Sequence, residues 1–230
     1  MPALHAARVS HRSSLYAGHR RRRRRLVCAK EFVSLRPAVF LDRDGVVIEE
    51  VSYLQRIDHL ALFPWTIDAI RALNRSGLPV VVVTNQSGVA RGFITEAFID
   101  EAHRVLSARL AAGGARIDAY YYCPHHPDGC VAGYARSCDC RKPARGLIDR
   151  AARDLGLDPA RSFVVGDKRS DIELARAAGA RGILLQPVDG GSGQPRALDD
   201  LNADAVVDNL AAAASWILVN LQSANLKSET

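Results

Sequence analysis

Two kinds of apolar pattern alternate along the chain. Short continuous runs at Ala38–Leu41, Pro79–Val83, Ile117–Tyr122, Ser162–Val165 and Gly182–Leu185 read as strands buried on both faces. Between them, apolar residues recur at helical spacing. Thr66 stands where it would cap a helix with Ile67, Ile70 and Leu73 facing inward, and Gly77 would end it. Thr95 would open the next, with Phe98, Ile99, Ala102, Val105 and Leu106 on one face and Gly113 at its end. Leu147, Ile148, Ala151, Ala152 and Leu155 mark a third, closed by Gly156. Ser170-Asp171-Ile172-Glu173 reads as a capping box for a fourth that stops at Gly179. Apolar strands alternating with amphipathic helices predict an α/β fold, a doubly wound parallel sheet covered on both sides.

In such sheets the sites lie at the carboxyl ends of strands. Polar clusters fall there: Asp42 and Asp44 after the first strand, Thr84 and Asn85 after the second, Cys123 and His125 after the third, Gly166 and Asp167 after the fourth. A solvated turn would also read Asp-Arg-Asp-Gly, but four reactive strand ends together are not surface decoration. Aspartates two apart across a tight turn can serve one small volume. Asp42 suits a nucleophile and metal ligand, and Asp44 an acid and base that protonates a leaving oxygen and later deprotonates water. Asp42 with Asp167 offers the oxygen ligands that magnesium prefers. Thr84 offers a hydroxyl donor to a phosphoryl group, Lys142 a point positive charge, and Arg141 a planar fork for a second phosphate or a sugar hydroxyl.

Charge changes the picture only at one end. The net +6 comes from residues 1–30, which carry nine basic and no acidic residues, including the run Arg20–Arg25. The remainder holds 22 basic against 25 acidic residues. A basic, disordered tail over 1–35 is therefore expected, followed by one folded domain over 36–221 and a tail over 222–230. The acidic body argues against a DNA-binding catalytic groove. The best candidate for a membrane span, Leu210–Val219, is too short and rich in alanine.

Five cysteines, three of them close together, make a poor disulfide framework and a good metal pattern. Cys123-Pro124-His125-His126 and Cys138-Asp139-Cys140 offer three thiolates and one imidazole, which fit a closed, structural zinc site. Either His125 or His126 could supply the nitrogen, and Cys28 and Cys130 are left as free thiols. Reduced cysteines imply a cytoplasmic setting.

Asp42-Arg43-Asp44-Gly45, Thr84-Asn85-Gln86-Ser87-Gly88, Arg141-Lys142-Pro143 and Gly166-Asp167-Lys168 with Asp171 resemble, in order, the four motifs of the haloacid dehalogenase superfamily. The resemblance covers roughly Pro37 to Pro187. It leaves no room for an inserted cap domain, so the flap around Glu50–Tyr53 and the cysteine loop are expected to shape the pocket. Ser87–Gly92, with Cys-Pro-His-His-Pro and Cys-Asp-Cys-Arg-Lys-Pro, resembles the subfamily of D-glycero-D-manno-heptose 1,7-bisphosphate 7-phosphatases. That resemblance implies removal of the 7-phosphate through an aspartyl-phosphate, on the route to nucleotide-activated heptose for lipopolysaccharide core. It implies Asp42 as nucleophile and Asp44 as acid/base. Magnesium would be held by Asp42, Asp167 and the carbonyl of Asp44, and zinc by Cys123, His125, Cys138 and Cys140. Substrate would meet Glu50, Tyr53, Thr84, Asn85, Gln86, Ser87, Arg141, Lys142 and Lys168. Val46 stands where the subfamily usually has threonine, and Ile48 where asparagine is common. Histidinol-phosphate phosphatases share the motifs and zinc loop but commonly depart from Ser87–Gly92. A polynucleotide 3′-phosphatase and a zinc-stabilised interaction protein without catalysis are the remaining alternatives. The intact catalytic positions speak against the last. The expected partner is thus a small phosphorylated sugar, with neither membrane nor nucleic acid, acted on by a monomer.

Overall fold

The computed structural model describes residues 35–186 and 202–226, with side chains as far as 221. The basic run Arg20–Arg25 and Cys28 lie outside the described residues, as do 227–230.

Six strands form one parallel sheet: β1 (Val39–Leu41), β2 (Val80–Asn85), β3 (Ala119–Cys123), β4 (Phe163–Gly166), β5 (Arg181–Leu185) and β6 (Ala205–Val207). Their spatial order is β3-β2-β1-β4-β5-β6, so the chain winds outward from β1 in both directions. The helices are α1 (Thr66–Arg75), α2 (Glu96–Ala112), α3 (Gly146–Leu155), α4 (Arg169–Ala178) and α5 (Leu210–Leu226).

Alternate residues of each strand feed opposite faces, which is why the strands read as unbroken apolar runs. Val39, Leu41, Val80 and Val82 pack with Ile70 and Leu73 of α1, Leu106 and Leu110 of α2, and Leu210 and Ile217 of α5. Phe40, Val81, Val83 and Val164 pack on the other face with Leu147 and Ile148 of α3 and Leu174 of α4. Thr95 caps α2 by accepting from Phe98 N, and Gly156 and Gly179 end α3 and α4 in the left-handed conformation.

Four local expectations are corrected. Thr66 is not a cap: it is buried as the first residue of α1, and its hydroxyl donates to Val47 O (2.9 Å). The helix expected from Ser170 begins at Arg169 instead, where Asp171 accepts from Lys168 N (3.1 Å) and thereby satisfies an end-of-helix amide. The short β6 was not expected, and α5 was read only as a failed membrane span. That helix runs on to Leu226, past the expected domain end at 221. Its Leu210, Ala213, Ala214 and Ile217 are buried, so the alanines are the packing face of a core helix. Among the described residues no helix is long and apolar enough to cross a membrane.

Between Asp44 and Thr84 the chain has room only for the flap, a short 3-10 turn at Ile57–His59, α1 and β2. Between β2 and Lys142 it forms α2, β3 and the cysteine loop. No cap domain is inserted at either place.

Candidate active site

The carboxyl ends of β1, β2 and β4 converge on a cavity of about 630 Å³. Asp42 follows β1 directly, and its amide donates to Val165 O of β4 (3.0 Å), which extends the ladder by one residue. Gly45 makes the next turn with φ +84°, a conformation that suits glycine. A Cβ there would come within 2.3 Å of Asp167 Oδ2, so the turn can close over the β4 end only without a side chain.

Asp42 Oδ1 accepts from Arg43 N (2.7 Å) and faces Lys142 Nζ (2.9 Å). The same ammonium meets Asp171 Oδ1 (2.7 Å) and Val83 O (3.1 Å), so all three of its donors are engaged. Burial would raise the Asp42 pKa, but the charges of Lys142 and Lys168 and the bonds from Lys142 and Arg43 outweigh it and hold the carboxylate below its ordinary range. Burial works against the Lys142 charge too, and Asp171 and Asp42 more than compensate, keeping it above the usual lysine range.

Asp44 is held from two sides. Arg43 Nη2 donates to its Oδ1 (3.0 Å) and also to Gln86 Oε1 (2.9 Å), while Gln86 Nε2 donates to Asp44 Oδ2 (2.8 Å) and Thr84 Oγ1 (3.0 Å). Because Thr84 accepts from Gln86, its own hydroxyl proton is left to donate towards the cavity. Asn85 is bound at both ends to the Lys142 backbone.

Asp42, Asp167 and Asp171 place carboxylate oxygens within 4.8 Å of one another. Asp167 Oδ1 is buried without a hydrogen-bond partner, with Lys168 Nζ 3.7 Å away. Burial, with the negative charges of Asp42, Asp171 and Glu50, pushes the Asp167 carboxyl up to about 6 in spite of Lys168. An orphaned oxygen in an overly negative carboxylate cluster is the environment a hard divalent cation would complete. The Asp44 carboxylate is not part of this trio; its sequence-assigned share was through the backbone carbonyl. Asp171, expected within the fourth motif and as part of a helix-opening box, joins the trio as well.

The second donor cluster sits where β3 ends. Cys123, His125, Cys138 and Cys140 bring their ligand atoms within 4.8 Å of one another, with sulfur–sulfur separations of 3.2–3.4 Å and His125 Nδ1 3.3 Å from Cys140 Sγ. Three sulfurs and one nitrogen so placed could hold one metal ion in a closed site. His126 turns away, its Nδ1 accepting from Asp128 N (3.1 Å) and its Nε2 facing Arg91 (3.3 Å). Cys130 is exposed. Glu96 anchors the loop by accepting from Tyr122 OH (2.6 Å) and Tyr134 OH (2.5 Å).

The residues expected to contact substrate all border the cavity: Glu50, Tyr53, Thr84, Asn85, Gln86, Ser87, Arg141, Lys142 and Lys168, beside Asp42 and Asp44. Glu50 pairs with Lys168 across the mouth (2.7 Å). Val46 and Ile48 are fully buried in the core and do not line the cavity. Arg43 drew notice only as part of the first motif; its side chain is 2% exposed, and that burial, visible only in three dimensions, makes it the brace of Asp44.

A HAD-hydrolase-like family model matches residues 139–213. A D-glycero-D-manno-heptose-1,7-bisphosphate 7-phosphatase of Thermosynechococcus vestitus is 44% identical over 195 residues, covering 81% of this chain and 97% of that one. The D-glycero-beta-D-manno-heptose-1,7-bisphosphate 7-phosphatase of Yersinia pestis is 44% identical over 142 residues, 62% of this chain and 76% of the relative. Among solved structures, the D,D-heptose 1,7-bisphosphate phosphatase of B. bronchiseptica, complexed with magnesium and phosphate, is similar with a TM-score of 0.67 at 33% identity, covering 80% and 99% of the two chains. Motifs, fold and relatives agree, and the chain belongs to the heptose-1,7-bisphosphate 7-phosphatase family of HAD-like hydrolases.

Proposed function

We propose that this chain is a magnesium-dependent phosphatase that removes the 7-phosphate of D-glycero-D-manno-heptose 1,7-bisphosphate, as the names of its relatives suggest. The carrying observation is the paired arrangement of Asp42 and Asp44. One carboxylate is held ionised beside an ammonium and the other is braced by Arg43 and Gln86.

Asp42 Oδ1 is occupied by Arg43 N and Lys142, which leaves Oδ2 for attack. Attack forms an Asp42–phosphorus bond and breaks the bond from phosphorus to the substrate's 7-oxygen, which takes a proton from Asp44. Asp44 then accepts a proton from water as that water attacks phosphorus, releasing phosphate and restoring Asp42. Thr84 donates to the phosphoryl oxygens, and Lys142 offsets the charge that gathers beside Asp42. Asp42, Asp167 and Asp171, with the Asp44 carbonyl, would hold magnesium. When bound, it neutralises the phosphoryl oxygens that would otherwise repel a carboxylate. Arg141, whose Nη1 donates to His125 O (3.4 Å), and Lys168 would read the rest of the substrate. Zinc in the Cys123, His125, Cys138 and Cys140 cluster would be structural, fixing the loop that delivers Arg141 and Lys142.

Phosphate release from heptose bisphosphate, histidinol phosphate and a 3′-phosphorylated oligonucleotide tests this reading. The heptose bisphosphate should be turned over with the highest kcat/KM, and a preference for either of the others rejects it.

A further inference from the structure

The flap crosses the cavity mouth and is fastened on both sides. At its base, Glu49 N donates to Ala61 O (2.9 Å) and Ile48 bridges Leu62. On one side Glu50 meets Lys168 of the α4 entrance. On the other, the Tyr53 ring meets Phe93 edge to face, with centroids 4.8 Å apart and planes at 68°. Tyr53 also lies close against Gly88, where a Cβ would come within 3.2 Å of its Cδ1.

Phe93 is presented from a fixed turn, since Phe93 N and Ile94 N both donate to Gly88 O (2.8 and 3.3 Å). As residues, Phe93 is 48% exposed and Tyr53 39% exposed. Single exposed aromatics need no explanation. Two that meet from separate segments, one of them on the cavity wall, do, because each holds the other's segment in place. Tyr53, Gly88 and Ile94 line the cavity, whereas Phe93 does not and meets it only through Tyr53.

We propose that Phe93 is a positioning residue for substrate selectivity: it latches Tyr53, and with it the flap, over the part of the substrate that extends beyond the reacting phosphoryl group. This rests on the phosphatase reading above. The phosphoryl group is placed by Asp42, Thr84 and the β4 end, none of which touches the latch, so only a ligand large enough to reach the flap senses it. Loosening the latch weakens binding of the sugar bisphosphate in ground and transition states alike, which raises KM more than it lowers kcat.

The test is steady-state kinetics of the full chain, loaded with magnesium and zinc, on heptose bisphosphate and on p-nitrophenyl phosphate. Phe93→Ala should raise KM for the bisphosphate about fivefold, the size of one lost aromatic pair, and raise that for the aryl phosphate by a smaller factor. Phe93→Tyr keeps a ring and should restore the parent ratio of the two KM values. A Tyr53→Ala/Phe93→Ala double variant should be no worse than Tyr53→Ala alone, since either change opens the same latch. Equal effects of Phe93→Ala on both substrates, or additive losses in the double variant, overturn the latch. A parent enzyme inactive on heptose bisphosphate overturns the functional reading and the latch with it. An active parent whose Phe93→Ala variant keeps the same ratio overturns the latch alone.

Discussion

Asn85 clamps the backbone of Lys142 at both ends, its Oδ1 accepting from Lys142 N (3.0 Å) and its Nδ2 donating to Lys142 O (3.2 Å). The end of β2 is thereby joined to the end of the cysteine loop, and the Lys142 ammonium is aimed at Asp42. A substrate contact was expected of Asn85, yet both its side-chain polar atoms are spent on this clamp. Asn85→Ala should therefore lower kcat about tenfold on any phosphate ester, because two bonds worth about 1 kcal/mol each hold a catalytic cation in place. Kinetics on heptose bisphosphate and an aryl phosphate decide it. A rise in KM for the sugar alone, with kcat intact, would make Asn85 a substrate contact instead.

Asp42→Asn should abolish turnover. An amide is a poor nucleophile and a poor ligand for a hard cation, and Lys142 would keep Asp171 as its partner, so the fold should survive. Single-turnover assays should show a loss of more than about a thousandfold, or roughly 4 kcal/mol. Activity within about tenfold of the parent, near 1.4 kcal/mol, would remove Asp42 from the nucleophile's role.

How far the chain could be read in one dimension depended on whether a residue's role was local. Strands β1, β2 and β4 were legible because they are buried on both faces, and Asp42, Thr84 and Asp167 because a strand end is a local event. β6 is three residues with Val206 exposed at 57%, too short and too wet to show a pattern. The alanine-rich α5 has little amphipathic contrast, so its buried stripe emerges only against α1 and the sheet. Asp171 was read as part of a box opening from Ser170; it completes one opening from Lys168, and it also faces Lys142. Asn85 and Phe93 act through residues distant in sequence, and Arg43 braces its neighbour Asp44 jointly with the distant Gln86, which spacing alone does not reveal.

The two donor clusters should lose their metals under different conditions. A partly hydrated carboxylate site exchanges a hard cation readily, whereas three thiolates and an imidazole bind zinc tightly. Mild chelation is expected to stop catalysis reversibly, with magnesium alone restoring it while about one zinc per chain stays bound. Cys138→Ser should lower the melting temperature and raise KM, since Cys140 leads directly into Arg141. The Glu96 contacts to Tyr122 and Tyr134 should keep part of the loop in place. Elemental analysis of active enzyme settles the assignment: full activity without zinc would reject it.

His103 sets an acid limit on stability. It is buried on α2, stacked on Tyr120 at 4.4 Å, and its Nε2 has no hydrogen-bond partner. Burial, reinforced by the positive charge of Arg43, pulls its pKa down to about 3 from an ordinary 6.5. The unfolded chain therefore binds a proton between those values that the folded one refuses. The stability this group contributes is full above the unfolded pKa and is lost as pH falls towards the folded one. Between pH 7 and 5 the loss is about 2 kcal/mol. His103→Phe keeps an aromatic ring against Tyr120 and removes the titrating group. Denaturant unfolding at pH 7 and pH 5 should thus show the variant gaining about 2 kcal/mol relative to the parent on acidification. An identical pH dependence in both proteins would mean that His103 is protonated in the fold without cost.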